Sequence, residues 1–237
     1  MHGSWLVSGS LFHSIPVTAL AHFLQTIFTE AFSVWGAAVT RLELVAVVLA
    51  LAMVVCNIRV NPWGWPLAIV SSLLYFGLFW KNLLYGDAGL QVFFALIAAW
   101  GWWQWLRGTQ DDGGALRVRT LGKKGRLRAL IAMAIAWPAT GIFLASATDT
   151  DVAWWDAFPT AASVIGQWLL GRKYVETWFT WVVVNIVSVA LFAYKGLWLT
   201  TVLYSIFIVM SVLGWRAWQR LAANGPAPGR VQACGEV

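Results

Sequence analysis

The chain has 237 residues, of which 60% are hydrophobic and 11% charged, with a formal net charge of +6 and a mean hydropathy of +0.70. That balance excludes a soluble globular domain. The positive excess sits in one loop and beside the ends of apolar stretches, where it sets membrane topology rather than binding nucleic acid. Seven near-continuous apolar stretches run 44 to 58, 64 to 80, 88 to 106, 129 to 148, 157 to 170, 177 to 194 and 196 to 215, none with a charge through its middle. A hydrocarbon core about 30 Å thick takes roughly 20 mainly apolar helical residues, and only helices or closed barrels satisfy their backbone there. The prediction is an all-α polytopic membrane protein with seven transmembrane helices.

The amino-terminal segment, residues 1–40, has a different character. Leu20, Phe23, Leu24, Ile27, Phe28, Ala31, Phe32 and Trp35 recur at helical spacing, opposite Thr18, His22, Gln25, Thr26, Thr29 and Glu30. This predicts an amphipathic helix lying at the membrane interface. An imperfect eighth span is the alternative, since residues 11 to 29 hold no fixed charge. A cleavable signal peptide is not expected, because no basic n-region opens the chain and no small-residue site follows an apolar core.

Residues 41–108 carry the first three spans. The loop after them holds Arg107, Arg117, Arg119, Lys123, Lys124, Arg126 and Arg128 against Asp111 and Asp112, so the positive-inside rule places it in the cytoplasm. The same charges suit anionic lipid or a protein partner. Residues 109–150 comprise this loop and the fourth span. By alternation, the connection with Asp149 and Asp151 falls outside, while Arg172, Lys173, Arg216 and Arg220 fall inside. The amino terminus is then outside and the carboxyl terminus cytoplasmic. Residues 151–221 carry the last three spans, and 222–237 read as a flexible tail.

The chain also repeats itself. Trp65, Ser72 and Phe76 lie on Trp181, Ser188 and Phe192. After a three-residue adjustment, Leu90, Phe94, Gly101, Trp102 and Trp105 lie on Leu203, Phe207, Gly214, Trp215 and Trp218. The second and third spans therefore correspond to the sixth and seventh, a transporter signature. Two three-helix units share one orientation only when an odd number of spans separates them, so the expected plan is 3+1+3 with the fourth span as connector.

Nothing in the spans supports catalysis. Cys56 and Cys234 form no ligand group, His2, His13 and His22 are all amino-terminal, and no carboxylate pair lies within a span. No enzyme activity, metal or cofactor is expected. Most of the 18 tryptophans, among them Trp63, Trp80, Trp102, Trp103, Trp105, Trp154, Trp155, Trp198, Trp215 and Trp218, fall at span ends and read as interfacial anchors. The sixth span differs, because Trp178, Trp181, Asn185 and Ser188 line a single helical face. A carboxamide in hydrocarbon is costly unless paired, so this stripe looks inward. Pro159, Ser163 and Gln167 on the fifth span join it. So do Gln91 on the third, Ser72 and Tyr75 on the second, and Tyr204 and Ser205 on the seventh. Interhelical hydrogen bonding explains such groups without a ligand. A pocket of aromatic faces and neutral amides instead suits a flat ring joined to hydroxyls, with a cation-π contribution if the ring is cationic. With no Lys or Arg at mid-span, the ligand is expected to be unphosphorylated.

The segments Asn61-Pro62-Trp63-Gly64-Trp65-Pro66, Tyr85-Gly86-Asp87-Ala88-Gly89-Leu90-Gln91, Trp100-Gly101-Trp102-Trp103-Gln104-Trp105 and Gly171-Arg172-Lys173-Tyr174-Val175-Glu176-Thr177-Trp178, with Trp181, Asn185 and the Tyr194-Lys195-Gly196-Leu197-Trp198 turn, resemble the PnuC family of bacterial nicotinamide riboside transporters over roughly residues 40 to 220. The resemblance implies a SWEET-like arrangement of two parallel three-helix bundles joined by an inverting helix, in the bacterial inner membrane. It also implies facilitated diffusion of nicotinamide riboside, with retention by a separate cytoplasmic kinase. By the same resemblance, Trp181 would stack on the ring and Asn185 meet a polar ligand group. Gln91 and Gln167 would add amide contacts, Tyr75 and Tyr204 hydroxyls, and Trp178, Ser188 and Trp65 the rest of the lining. Carriers of riboflavin or thiamine, and ATP-dependent vitamin-capture subunits of the ECF type, remain the alternatives. Partners are then the small-molecule substrate and the lipid bilayer, with a homo-oligomer left open. Asp87, Asp156 and Glu176 fall near span ends, so uniport by alternating access is expected. Pro159 is the candidate hinge and Glu176 a gate or ion-pair element.

Overall fold

The computed structural model describes residues 30–34, 37–81, 85–109, 113–147, 152–196 and 198–224. Among these residues two strands, β1 (Glu30–Val34) and β2 (Ala37–Thr40), precede seven helices: α1 (Arg41–Ile58), α2 (Gly64–Lys81), α3 (Tyr85–Arg107), α4 (Lys123–Ala147), α5 (Ala153–Gly171), α6 (Glu176–Tyr194) and α7 (Trp198–Ala223). Each helix falls on one predicted apolar stretch. α4 begins earlier, at Lys123, and α7 runs on to Ala223, because hydropathy marks only the lipid-facing length whereas Lys, Arg, Leu and Ala propagate a helix beyond it. By length and composition α4, α6 and the Thr200–Ala223 part of α7 can each cross a bilayer alone, while Leu44–Ile58 and Gly64–Gly77 are shorter apolar helices.

The chain divides at Val48 into two compact units. In the first, β1 and β2 pair antiparallel, with Glu30 opposite Thr40 and Val34 opposite Ala37. This corrects the carboxyl end of the predicted amphipathic helix. The stretch from Glu30 to Thr40 is rich in β-formers, Phe32, Val34, Val39 and Thr40, and has Gly36 between the strands, a hairpin signal that helical periodicity overlooked. The rest of that predicted helix, the alternative eighth span, the three histidines and the tail beyond Asn224 lie outside the described residues.

In the second unit α2 packs on α3, α6 on α7, α5 on α6, α4 on α5, and α3 on α5. Its core is a tryptophan cluster. Trp65 meets Trp105 edge-on at 5.6 Å and 83°, and Trp178 meets Trp218 at 5.6 Å and 84°. A Cβ at Gly101 would overlap the Trp65 ring, and one at Gly214 the Trp178 ring. Trp105 Nε1 donates to the Leu170 carbonyl at 3.0 Å, and Trp218 Nε1 donates to those of Asn57 and Ile58 at 3.1 Å. Val60 and Lys173, just past α1 and α5, both take φ 55°. Every member of one set stands 113 residues before its counterpart: 57 and 170, 60 and 173, 65 and 178, 101 and 214, 105 and 218.

The repeat therefore runs in one register, and the three-residue adjustment expected from the sequence is not needed. Trp65 corresponds to Trp178, not to Trp181. Trp178 and Trp181 lie on one face of α6, so spacing alone cannot tell which indole rests on the glycine of the next helix. Trp105 and Trp218 are likewise corrected from interfacial anchors to core, with Trp218 fully buried. Their indole N–H groups find carbonyls at helix ends, which removes the need for the headgroup region. Trp63, Trp102, Trp103, Trp154, Trp155 and Trp198 are exposed, as anchors should be.

The basic loop is tied down along 116–121. Arg119 N donates to the Lys173 carbonyl at 3.0 Å and Val175 N to that of Arg119 at 2.9 Å, and the Arg119 guanidinium lies 4.8 Å over the Tyr174 ring. Lys173 Nζ donates to the Leu116 carbonyl at 3.1 Å. Burial pushes the Lys173 ammonium below its usual range.

Candidate functional site

Four helices each turn one face to a cavity of about 210 Å³. α1 contributes Ala50, Met53, Val54 and Asn57, and α5 contributes Gln167 and Leu170. From α6 come Trp178, Trp181 and Asn185, and from α7 Tyr204, Phe207 and Ser211. On every helix these positions are three or four apart or adjacent, which is what places them on a common stripe. α5 and α6 approach closely beside the cavity. Gly166 has no side chain to hold them apart, its carbonyl accepts from Thr177 Oγ1 at 2.9 Å, and a Cβ there would touch Trp181 at 3.4 Å.

The polar groups of the lining are neutral, for no Lys, Arg, His, Asp or Glu is among them. Asn185 Nδ2 donates to Ser211 Oγ at 3.3 Å, a buried contact between α6 and α7. Asn57 Oδ1, Gln167 Oε1 and Trp178 Nε1 are buried with no partner among the described residues. A buried polar atom left unpaired costs about 1–3 kcal/mol, so each needs a reason. Trp65 Nε1, which does not line the cavity, is also unpaired. The indole N–H at this position is thus a feature of the repeat. Asn57 and Gln167 are the polar positions that the cavity has gained, since their counterparts 113 residues away, Leu170 and Val54, are apolar; Asn57 Oδ1 itself lies against Gly64 at the start of α2.

Of the predicted site residues, Trp178, Trp181, Asn185, Gln167 and Tyr204 come together here. Gln91, Tyr75, Trp65 and Ser188 do not line the cavity. Trp65 belongs to the tryptophan core, Ser188 is buried elsewhere on α6, and Gln91 and Tyr75 sit at the repeat positions of Tyr204 and Ser188. The repeat has diverged, with Trp181 and Asn185 answering to Ala68 and Ser72 in the first half. Asn57, Met53, Phe207 and Ser211 were missed. The Tyr204, Phe207, Ser211 spacing of three and four was a usable signal. Asn57, in the last turn of α1, reads from sequence as a residue leaving the bilayer.

Pro159 is buried within α5, which continues through it. Glu176 opens α6 at the loop end of the bundle. Its Oε1 accepts from Arg126 Nη2 at 3.0 Å and Nε at 3.2 Å, and its Oε2 accepts from Leu121 N at 3.0 Å. One carboxylate thus joins the loop, α4 and α6.

Residues 40–220 match the model of the family described as Nicotinamide mononucleotide transporter. The chain is 29% identical over 193 residues to the riboflavin/roseoflavin transporter RibM of Streptomyces davaonensis, covering 80% of this chain and 90% of that protein. It is 27% identical over 174 residues to the nicotinamide riboside transporter PnuC of Escherichia coli K12, covering 63% of this chain and 73% of that protein. Its fold is similar to the crystal structure of the vitamin B3 transporter PnuC, with a TM-score of 0.63 and 19% identity over 91% of this chain and 94% of that one.

Proposed function

This chain belongs to the nicotinamide mononucleotide transporter family, and from that membership we propose that it carries unphosphorylated nicotinamide riboside across the bacterial inner membrane by facilitated diffusion. It is a multi-pass helical membrane protein of the vitamin-transporter type. The observation that carries the choice of ligand is the cavity lining itself, in which the neutral amides Asn57, Gln167 and Asn185 stand among aromatic walls with no cation. Neutral amides suit the hydroxyls and carboxamide of a riboside. Trp181, Tyr204 and Phe207 suit a flat, positively charged ring. A phosphate entering here would lose its hydration without gaining a counter-charge.

A space of about 210 Å³ falls below the roughly 300–1,000 Å³ of pockets for drug-sized ligands, which favours a single-ring riboside over a three-ring flavin. A flavin carrier is the second reading, favoured by the longer match to the riboflavin/roseoflavin transporter. It requires the cavity to widen. The reciprocal Trp105 and Trp218 hydrogen bonds support a 3+1+3 plan, with α4 as connector between two bundles in SWEET-like order. In that plan the bundles rock about the cavity, Pro159 bends α5 and the Glu176 clamp opens on the loop side.

Purified protein in sealed liposomes tests the reading. Labelled nicotinamide riboside should equilibrate across the membrane without ATP, and calorimetric titration should rank it above the mononucleotide, riboflavin and thiamine. Equal affinity for the mononucleotide would refute the argument from missing counter-charge. A preference for riboflavin would select the second reading, and riboside binding without ATP-free equilibration would mark a capture subunit.

A further inference from the structure

A second, larger cavity of about 630 Å³ lies among α4, α5, α6 and α7 and holds none of the amides of the first. Its walls are apolar along most of their length, with Leu130 and Met133 of α4, Phe158 and Ile165 of α5 and Val183 of α6. At the loop end the lining changes to Arg126, Glu176 and Gln219. From Phe158 to Leu169, both in the wall, α5 rises about 16 Å at 1.5 Å per residue. The crevice is therefore long, greasy within and polar at one mouth.

The opening turns of α4 beside the mouth are strongly basic. Glu176 holds Arg126 by one oxygen, yet 60% of the Arg126 side chain stays exposed. Lys123, Lys124 and Arg128, on the same opening turns of α4, are exposed as well, and the sequence from 123 to 147 contains no acidic residue. At bilayer depth the medium is acyl chain rather than water, and an apolar crevice there is filled most favourably by hydrocarbon. Clustered cations at the headgroup level attract anionic lipid.

We propose that this crevice is a binding site for an anionic phospholipid, with one acyl chain lying between α4 and α6 and the phosphate at Arg126 and Lys123, which share a helical face, while Lys124 and Arg128, on the other side of α4, add to the positive field at headgroup level. Such a lipid bridges the connector helix and the second bundle at the place where Glu176 clamps the loop. The site is separate from the vitamin cavity, so its test does not depend on which ligand the protein carries.

Native mass spectrometry of the purified full chain, offered phosphatidylglycerol and phosphatidylethanolamine with identical chains, should show preferential retention of phosphatidylglycerol. The exposed triple variant Lys123→Gln, Lys124→Gln, Arg128→Gln should lower that preference by about fivefold per charge removed. Ala129→Phe, which fills the crevice wall, should lose both lipids while keeping its thermal transition. Equal retention of the two lipids, a preference unchanged in the triple variant, or full lipid retention by folded Ala129→Phe would each overturn the proposal. So would a second copy of the chain or detergent alone occupying the crevice. If Ala129→Phe fails to fold, the triple variant decides by itself.

Discussion

Replacing Gln167 by Met separates a ligand-facing amide from one that holds helices together. Gln167 Oε1 has no partner among the described residues, so a side chain of similar length without the amide breaks no protein contact at that oxygen. Stability should hold or rise. The ligand, in contrast, loses an acceptor and brings an unpaired donor into a buried site, a loss of about 1–3 kcal/mol. At 1.4 kcal/mol per tenfold, the dissociation constant should rise about 5- to 150-fold. Gln104→Met provides the contrast. Gln104 is buried and its Oε1 accepts from Arg172 Nη1 at 3.4 Å, so the same replacement strands a partly buried guanidinium and should lower stability while leaving affinity intact. Thermal unfolding in detergent, followed by tryptophan fluorescence, and calorimetric titration with nicotinamide riboside read the two effects separately. If Gln167→Met lowers stability as Gln104→Met does and leaves affinity unchanged, the oxygen belongs to a helix junction and the cavity reading fails.

Gly101→Ala and Gly214→Ala each drive a methyl into an indole, Trp65 and Trp178 respectively. Both should destabilise by about 1–3 kcal/mol, but only Gly214→Ala should also weaken ligand binding, because Trp178 lines the cavity; equal binding by the two variants would contradict the asymmetry of the repeat. Glu176→Gln removes a partly exposed ion pair worth under about 1 kcal/mol. Uptake should slow and amide hydrogen exchange at Leu121 should quicken while equilibrium binding stays constant, and an unchanged uptake rate would argue against a gate. Pro159→Ala should reduce uptake more than binding if α5 bends there, and wild-type values for both would leave Pro159 a static kink. The Lys173 ammonium, held below its usual range by burial, binds protons less readily in the folded than in the unfolded chain. Stability should therefore increase as pH rises from the native value toward about 10.4, an increment that Lys173→Met should abolish in unfolding measured across that window.

The positions of the seven helices were legible in the sequence, because hydropathy is local and a helix satisfies its own backbone. So was the inward face of α6, since Trp178, Trp181 and Asn185 share a stripe whatever stands opposite. Trp105 and Trp218 look the same in sequence as the exposed Trp102 and Trp103, and only packing onto distant carbonyls makes them core. The two strands at Glu30–Thr40 depend on pairing across a turn, which helical periodicity does not register.

Which amides face one another was likewise beyond the sequence. Asn57 and Gln167 are more than a hundred residues apart and share a cavity only because the ends of α1 and α5 come together in the folded unit. Composition and periodicity fix what each helix is and which side of it is polar. The register between the two halves, and so the choice of five predicted residues and not the other four, is fixed by tertiary contacts. A one-turn shift along a helix leaves the polar stripe unchanged but moves every group on it by about 5.4 Å, enough to bring a side chain into the cavity or bury it beneath a neighbouring indole.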